Sequence, residues 1–414
     1  MVMVAEGEAA AESNVILVVV IREYDPKKDI NGVEELEKKC DVGPSDKLSL
    51  FTDHMGDPIC RVRHSPVFSM LVAEMISSKI QGEEEEGSGK EIVGTIRGSV
   101  KTVACGKDGQ DHAKLAYVSG LRVSPSHRRF GIGLKLVQKI EEWFTQNGAD
   151  YSYMATEKDN FPSVKLFTGK CGYSKFRTPA ILIQPVFAHQ APISNRVNII
   201  KLEPSDAETL YRRRFSTTEF FPQDIDAVLN NKLSLGTFLA VPRGSGSWVG
   251  SDKFLDDPPE SWAVLSVWNC QFQLEVKGNG SRVKKWLARK SRSLDRAFPW
   301  LRVPSVPEFF RPFGIHFLYG LGGEGVMAAR LMKALCGMAH NLAMERGGGV
   351  VAAEVAAGEK FKEGIPHWKR LSCAEDLWCI KRLGGGEKRS EGDDVGDWTR
   401  STPGLSLFVD PREI

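Results

Sequence analysis

Cysteine is scarce in this sequence, and its placement argues against a disulfide framework. The chain has 8 cysteines in 414 residues, with no Cys-x-x-Cys pair among them, a usage that suits a reducing compartment. Cys60 and His64 have the spacing of one arm of a metal site, but the sequence offers no second arm. Buried free thiols, without a metal, are the better interpretation.

An excess of charge of one sign is also lacking. The formal net charge is +2 at pH 7, so the chain as a whole gives no reason to expect binding to nucleic acid or to an anionic membrane. Any such role would need a local patch of charge.

Long apolar runs are missing as well. The run at 15–21 is far shorter than the roughly 20 residues of a membrane helix, and it predicts a buried strand instead. The acidic stretch 1–14 lacks the basic start of a signal peptide, and we expect it to be disordered. These absences predict a soluble intracellular protein, cytoplasmic or nuclear, without a membrane partner.

Length and composition predict more than one globular domain. The chain is 42% hydrophobic and 26% charged, as globular proteins are, and it is too long for one compact core. We place a first domain at 15–190 and a second at 191–414, with loop insertions at about 243–260 and 278–310.

Strands and helices alternate along the first domain, which predicts a mixed sheet with helices on its faces. The succession of strand, glycine-containing turn, long helix and strand at 116–157 returns at 314–355. We interpret this return as an internal duplication. An unrelated α/β domain with a common strand-turn-helix unit stays open as the alternative.

The most informative stretch is VSPSHRRFGIGLKLVQKIEEWF, residues 123–144. The first turn of a helix has unpaired N–H groups and a partial positive charge, which stabilise an anion. Gly131 and Gly133 let backbone amides approach phosphates closely, and Arg128 and Arg129 add charged donors. The stretch therefore predicts a pyrophosphate site at the start of an amphipathic helix.

Spacing decides between the known phosphate loops. The stretch fits neither the Walker pattern nor the dinucleotide fingerprint, but it fits [RQ]-x-x-G-x-[GA] directly after a strand. A second block, NFPSVKLFTGKCGY at 160–173, follows the next strand. With both blocks in order, the sequence resembles the GNAT acetyltransferase superfamily over roughly residues 16–190. Segments such as FSTTEFFPQDID and SLFVDPREI resemble the plant Hookless-type proteins along nearly the whole length.

The resemblance implies an α/β (α+β) GNAT fold, with a mixed central sheet and helices on both faces. It also implies a bulge near Gly120 that splays the fourth strand from the fifth, and acetyl-CoA as co-substrate with its pantetheine in the gap. The residues implied in binding acetyl-CoA are Leu121 and Val123 through their backbone, Arg128, Arg129, Gly131, Ile132 and Gly133 at the pyrophosphate, and Asn160 and Ser163 beside the pantetheine.

Two positions depart from the family pattern for catalysis. Phe167 stands where many members carry a Tyr that protonates the leaving thiolate, so Tyr173 or Cys171 would have to replace it. Tyr117 stands where histone-type members carry a general base. Deprotonating a lysine at neutral pH costs roughly 4.6 kcal/mol, so a base is expected. Further candidates near the site are Glu157, Asp159 and His127.

Two functions are compatible with these residues. The first is an acetyl-CoA-dependent N-acetyltransferase that transfers acetyl directly to a primary amine of a protein, such as a histone, or of a small molecule. By resemblance, it would act in hormone-controlled growth in plants. The second is a CoA-binding regulatory protein with little turnover, motivated by Phe167 and the missing base. The intact CoA-site residues favour the first.

The second domain keeps glycines before a helix but loses the cations. Gly322, Gly323 and Gly325 are present, yet Glu324 stands where a phosphate donor would help, and no Arg opens the motif. We predict a degenerate GNAT copy that packs on the first domain, shapes its acceptor cleft and binds no CoA of its own.

The segment 281–296 is a dense basic patch. Its cations are Arg282, Lys284, Lys285, Arg289, Lys290, Arg292 and Arg296. Apolar residues fall between them partly at helical spacing, which indicates an amphipathic helix. Either this helix is solvated and docked by its apolar side, or its cations bind an acidic partner or nucleosomal DNA, or they form a nuclear-import signal.

Overall fold

The computed structural model of the chain describes residues 15–40, 49–51, 57–60, 62–79, 90–106, 112–245, 248–270, 275–277, 282–307, 309, 311–384 and 398–414. The N-terminal stretch 1–14, predicted to be disordered, lies outside the described residues.

The described strands and helices alternate as the sequence predicts. The strands are β1 (Val15–Glu23), β2 (Ser49–Phe51), β3 (Val67–Lys79), β4 (Lys90–Ala104), β5 (His112–Val123), β6 (Tyr151–Glu157), β7 (Ser174–Arg177), β8 (Ala180–Pro185), β9 (Val197–Leu202), β10 (Ser234–Pro242), β11 (Trp262–Asn269), β12 (Glu275–Lys277), β13 (Gly314–Glu324), β14 (Gly348–Val355) and β15 (Asp376–Arg382). The helices are α1 (Ile30–Lys39), α2 (Ile132–Gln146), α3 (Phe161–Gly169), α4 (Pro204–Phe215), α5 (Ile225–Leu229), α6 (Ser251–Asp256), α7 (Arg282–Ala297) and α8 (Ala328–Glu345).

Two mixed sheets repeat one topology. The first has the order β1-β3-β4-β5-β6-β15-β7, and the second, read in the same direction, β9-β10-β11-β13-β14-β8. In each sheet one pair is parallel, β5 with β6 and β13 with β14, and each pair is connected through a long helix, α2 or α8. The other neighbours are antiparallel. The repeat agrees with the predicted duplication.

The two sheets exchange their late strands. β8, which follows β7 directly in sequence, pairs with β14 of the second sheet. β15, from near the C-terminus, pairs with β6 and β7 of the first sheet. The domain boundary at residue 190 stays a prediction, but the sheets themselves do not divide there. Each sheet is completed by a strand from the other half of the chain.

Hydrophobic clusters hold the layers together. α2 packs Leu136, Ile140 and Phe144 against one face of the first sheet, and α1 covers the opposite face through Val33. α8 covers the outer face of the second sheet. Between the sheets lies a cluster rich in aromatic residues, with Tyr153, Phe220, Trp262, Trp378 and Trp398 among its members. The predicted mixed sheet with helices on both faces, together with a second unit of the same topology, is confirmed.

The structure also bears on the smaller predictions. All eight cysteines are free thiols. His64, whose spacing from Cys60 is that of one arm of a metal site, lies 3.1 Å from the Asn231 side chain and edge-on to Trp268. Among the described residues, no helix is long and apolar enough to cross a membrane.

Glu354 of β14 is buried between the sheets. Its Oε1 accepts a 2.9 Å hydrogen bond from Trp378 Nε1. Burial, reinforced by the nearby carboxyl of Asp376, raises the pKa of Glu354 to about 8. The folded protein therefore keeps this proton to a higher pH than the unfolded chain does.

We expect Glu354→Gln to change the pH dependence of stability. The wild-type contribution is complete below the unfolded pKa and is lost as the pH rises through the folded pKa. Relative to wild type, the variant should gain stability from about pH 6 to about pH 8, by at most ~1.4 kcal/mol per pH unit. Urea unfolding at about pH 6 and about pH 8 measures the free energy of unfolding of both proteins. Glu345→Gln, at an exposed glutamate, is the control. Parallel pH profiles for wild type and Glu354→Gln would contradict it.

Candidate active site

A gap opens between β5 and β6 halfway along the first sheet. Their parallel pairing ends at Val118 and Met154. Beyond that point β5 stays paired with β4 on its outer edge, and β6 stays paired with β15. We call the gap between residues 119–123 and 155–157 the wedge. Outer neighbours therefore hold both walls of the wedge.

A bulge at Gly120 produces this separation. The register between β4 and β5 shifts between Thr95 and Arg97, and Gly120 has a φ of +58°. A Cβ there would lie 2.2 Å from Arg97 Nη1, so a side chain is excluded by space as well as by conformation. Arg97 itself is held by Glu37 and by the Pro58 carbonyl. The weak point predicted at Gly120 is where the structure places the bulge.

Backbone amides line one side of the wedge. The Ser124 N–H donates to the Val93 carbonyl across β4 at 2.9 Å. Because polar groups alternate direction along a strand, the amide of Val123 points the other way, into the wedge, and Leu121 lies next to it in the bulge. These are the two residues predicted to pair with pantetheine.

The turn before α2 lies at the end of the wedge. Arg129 and Gly131 both have left-handed backbone conformations, with φ of +72° and +79°, and α2 begins at Ile132. Arg128 and Arg129 are exposed, and Arg128 Nε donates to the Val123 carbonyl at 3.4 Å. The unpaired first-turn N–H groups and two cations therefore meet where a pyrophosphate was predicted.

α3 forms the other wall of this end. A Cβ built on Gly133 would lie 3.6 Å from both Val123 and Leu166, so β5, α2 and α3 converge there. Asn160 is the N-cap of α3, and its Oδ1 accepts from the Ser163 N–H at 3.3 Å. Asn160 is thus the capping residue and Ser163 the capped one, and the two sit side by side at the start of α3.

The side chains predicted to protonate the leaving thiolate, Tyr173 and Cys171, are buried in the core. Tyr173 is 3% exposed, and its hydroxyl lies 2.7 Å from Ser152 Oγ. Burial, together with the Glu141 carboxyl, holds its pKa well above the usual value. Phe167 packs edge-on to Tyr173, and burial raises the pKa of Cys171 to about 11. These side chains support α2 rather than line the wedge.

Tyr117 lies on the opposite face of the sheet from α2. Its ring lies 4.7 Å from that of Tyr153, its neighbour across the parallel pair. Tyr153 Oη donates to Glu413 Oε2 at 2.5 Å, and Lys101 Nζ lies 2.6 Å from the same oxygen. Glu413 Oε1 is buried without a hydrogen-bond partner among the described residues. Burial raises the pKa of Glu413, partly offset by Lys101.

Buried ion pairs fix the C-terminal tail against this face. Lys101 Nζ lies 3.1 Å from Asp410 Oδ2, and Arg412 pairs with Asp410 and with Asp224. Sequence reasoning missed Glu413, because 260 residues separate it from Tyr153. The signal that was available is the resemblance of the tail segment SLFVDPREI to a known family.

The other proposed bases lie at the periphery. Glu157 is exposed at the end of β6, opposite Asp376 of β15. Burial raises the pKa of Asp376 to about 6, and Glu157 adds to the rise. Asp159 is exposed, and His127 lies 3.0 Å from Ser126 Oγ in the turn before α2.

At the corresponding place in the second half, side chains of α4 pack against β13. β13 has its own bulge at Gly320, with φ of +60°, but the Tyr211 hydroxyl donates to the Gly320 carbonyl at 3.0 Å. A Cβ on Gly322 would lie 2.1 Å from the Phe215 ring. At the start of α8, Ser261 Oγ accepts from the Met327 N–H. At the start of α8, one backbone N–H is thus already paired with a side chain of this chain.

Known proteins are similar to this chain in sequence. The acetyltransferase (GNAT) family model matches residues 78–173. Probable N-acetyltransferase HLS1 of Arabidopsis thaliana is 62% identical over 95% of this chain and 100% of its own length. Acetyl transferase GW6a of Oryza sativa subsp. japonica is 39% identical over 96% and 98%.

A solved structure has the same fold at low identity. Saccharomyces cerevisiae N-myristoyltransferase with bound myristoyl-CoA superposes with a TM-score of 0.52 at 11% identity, over 88% of this chain and 79% of that chain. This likeness concerns the fold alone. The extent and identity of the plant matches show that this chain belongs to the GNAT acetyltransferase family, among its HLS1-type members.

Proposed function

We propose that the chain is an acetyl-CoA-dependent N-acetyltransferase that transfers acetyl directly from the thioester to a primary amine. The observation that carries the proposal is the wedge, which ends at a turn rich in hydrogen-bond donors for an anion. An extended pantetheine would pair with the amides of Leu121 and Val123 as an added strand does, and the pyrophosphate would meet residues 128–133.

The acceptor amine would approach from the face that carries Tyr117. Its nitrogen attacks the thioester carbonyl, the C–N bond forms, and the C–S bond breaks to release the CoA thiolate. No enzyme nucleophile is needed for this direct transfer. A thiol titrates near pH 8.5, so the thiolate leaves without a dedicated acid, which fits a phenylalanine at position 167.

The amine proton needs an acceptor, and we propose Glu413 for this role. Its carboxyl is buried, partly unpartnered and hydrogen-bonded to Tyr153, which stacks on Tyr117. Burial raises its proton affinity toward the range where a general base works near neutral pH. The proton would pass from the amine to Glu413 through the Tyr153 hydroxyl.

The proposed acceptor is a primary amine of a protein, such as a histone, or of a small molecule. We also propose, from the resemblance to plant relatives, that the protein acts in the nucleus and in plant growth.

Removing the two arginines of the turn should weaken acetyl-CoA binding. We expect Arg128→Gln combined with Arg129→Gln to raise the KM for acetyl-CoA at least about tenfold, because one charged hydrogen bond contributes ~1.5 kcal/mol. Release of free thiol in the presence of a panel of protein and small amines measures this.

Arg330→Gln is the matched control, since Arg330 is exposed in the first turn of the equivalent helix α8. An unchanged KM in the double variant would overturn the assigned pyrophosphate site. Tight acetyl-CoA binding with no thiol release on any amine would instead favour a CoA-binding regulatory protein.

Removing the Glu413 carboxylate should slow the chemical step. We expect Glu413→Gln and Tyr153→Phe each to lower kcat about a hundredfold and to leave the KM for acetyl-CoA unchanged. The deficit should shrink as the pH rises toward the pKa of the amine, because the solvent then removes the proton. Rates measured across pH test this.

Asp410→Asn provides the control for a purely structural effect. Asp410 anchors the same tail through Lys101 and Arg412 without touching Tyr153. If Asp410→Asn lowers kcat as much as Glu413→Gln does, with the same pH profile, Glu413 is an anchor and not a base.

A further inference from the structure

Helix α7 is attached to the protein by its polar side. Asp295 is 0% exposed, and its carboxylate accepts from the Ala188 N–H at 2.8 Å and lies 2.7 Å from His189 Nδ1. One turn earlier, Arg292 donates to the Val186 carbonyl. Docking by the apolar side, one of the alternatives from the sequence, is therefore wrong for the described side chains of this helix.

The apolar side of α7 faces outward. Six large apolar side chains, on α7 and on the short 3-10 turn that follows it, are between 42% and 69% exposed. They are Trp286, Leu287, Leu294, Phe298, Trp300 and Leu301, and we call them the α7 ridge. Neighbouring walls would have covered these side chains if they lay in a groove. An exposed apolar surface of this kind indicates a binding site.

The segment that carries the α7 ridge is strongly basic. Between residues 282 and 302 there are five arginines and three lysines, and Asp295 is the one acidic residue. Because Asp295 points inward, no carboxylate of this segment is left to neutralise the cations on the outside. Charge complementarity therefore calls for an anionic partner.

The chemistry of the α7 ridge separates the possible partners. A second copy docked face to face would bring cations against cations. Nucleic acid would satisfy the cations but would leave tryptophan and leucine side chains against phosphates and water. A helical peptide would need a groove, and the high exposure of the apolar side chains indicates a ridge. An anionic bilayer surface is soft enough to take in a ridge, and it accommodates both apolar and cationic side chains.

We propose that the α7 ridge docks on an anionic lipid surface. Leucine, phenylalanine and tryptophan side chains would enter the headgroup region, while cations such as Lys290 and Arg302 pair with anionic lipids. Tryptophan is enriched at such interfaces, and Lys290 Nζ lies 5.9 Å over the Trp286 ring, which places a cation beside an inserting residue. This attachment would be peripheral and does not depend on the acetyltransferase proposal.

Co-sedimentation with vesicles tests the proposal on the full chain. Wild-type protein should pellet with phosphatidylcholine vesicles that contain about 30% phosphatidylserine, and at least about tenfold less with phosphatidylcholine alone. Leu287→Ser with Leu294→Ser should weaken anionic binding about tenfold or more. Lys290→Gln with Arg296→Gln should weaken it similarly and flatten its dependence on salt.

Leu405→Ser with Val249→Ser is the matched control, since both residues are exposed apolar side chains elsewhere, and it should pellet like wild type. No binding to anionic vesicles, or binding that the leucine substitutions leave unchanged, would overturn the proposal. A wild-type dimer that these substitutions convert to monomer would assign the ridge to a second copy. Binding to duplex DNA alone, lost with Lys290→Gln and Arg296→Gln, would assign it to nucleic acid. Either result would also overturn the proposal.

Discussion

The end of the β5–β6 ladder at Val118 and Met154 is the constraint on which the site depends. Two strands that part leave unpaired backbone groups, and such groups are costly when they are buried without partners. Here each strand is held on its outer side, by β4 or by β15, so the gap cannot close by local adjustment. The wedge is therefore a preformed place for an extended ligand that brings its own amides.

The exchange of late strands explains why both halves matter to one site. β15 fixes the position of β6, the second wall of the wedge, although it comes from the far end of the chain. The C-terminal tail brings Glu413 to Tyr153 by the same route. In the second half, Tyr211 and Phe215 pack against the corresponding bulge. The second half also supplies a strand and a carboxyl to the first half.

How much the sequence predicts depends on whether a feature is local. The turn at 128–133 is local, and its motif predicted the glycine-containing turn at the start of α2. The sequence did not predict that Asn160 caps α3. The bulge could be placed near Gly120 because the resemblance implies a bulge in this strand and glycine favours a positive φ. Glu413 and the exchange of β8 and β15 are contacts between distant segments, which periodicity does not encode. The sequence did not predict which side of α7 faces outward, for a related reason. Residue spacing shows that the helix has two faces, but it does not show that Asp295 is buried and attaches the polar face to the protein.

Amide hydrogen exchange with and without acetyl-CoA tests the central claim most directly. If the wedge and its turn bind the ligand, the amides of Leu121, Val123 and residues 129–133 should become protected, while those of residues 320–328 in the second half stay unchanged. Protection confined to 320–328, or no protection at 121–133 under saturating acetyl-CoA, would contradict the account.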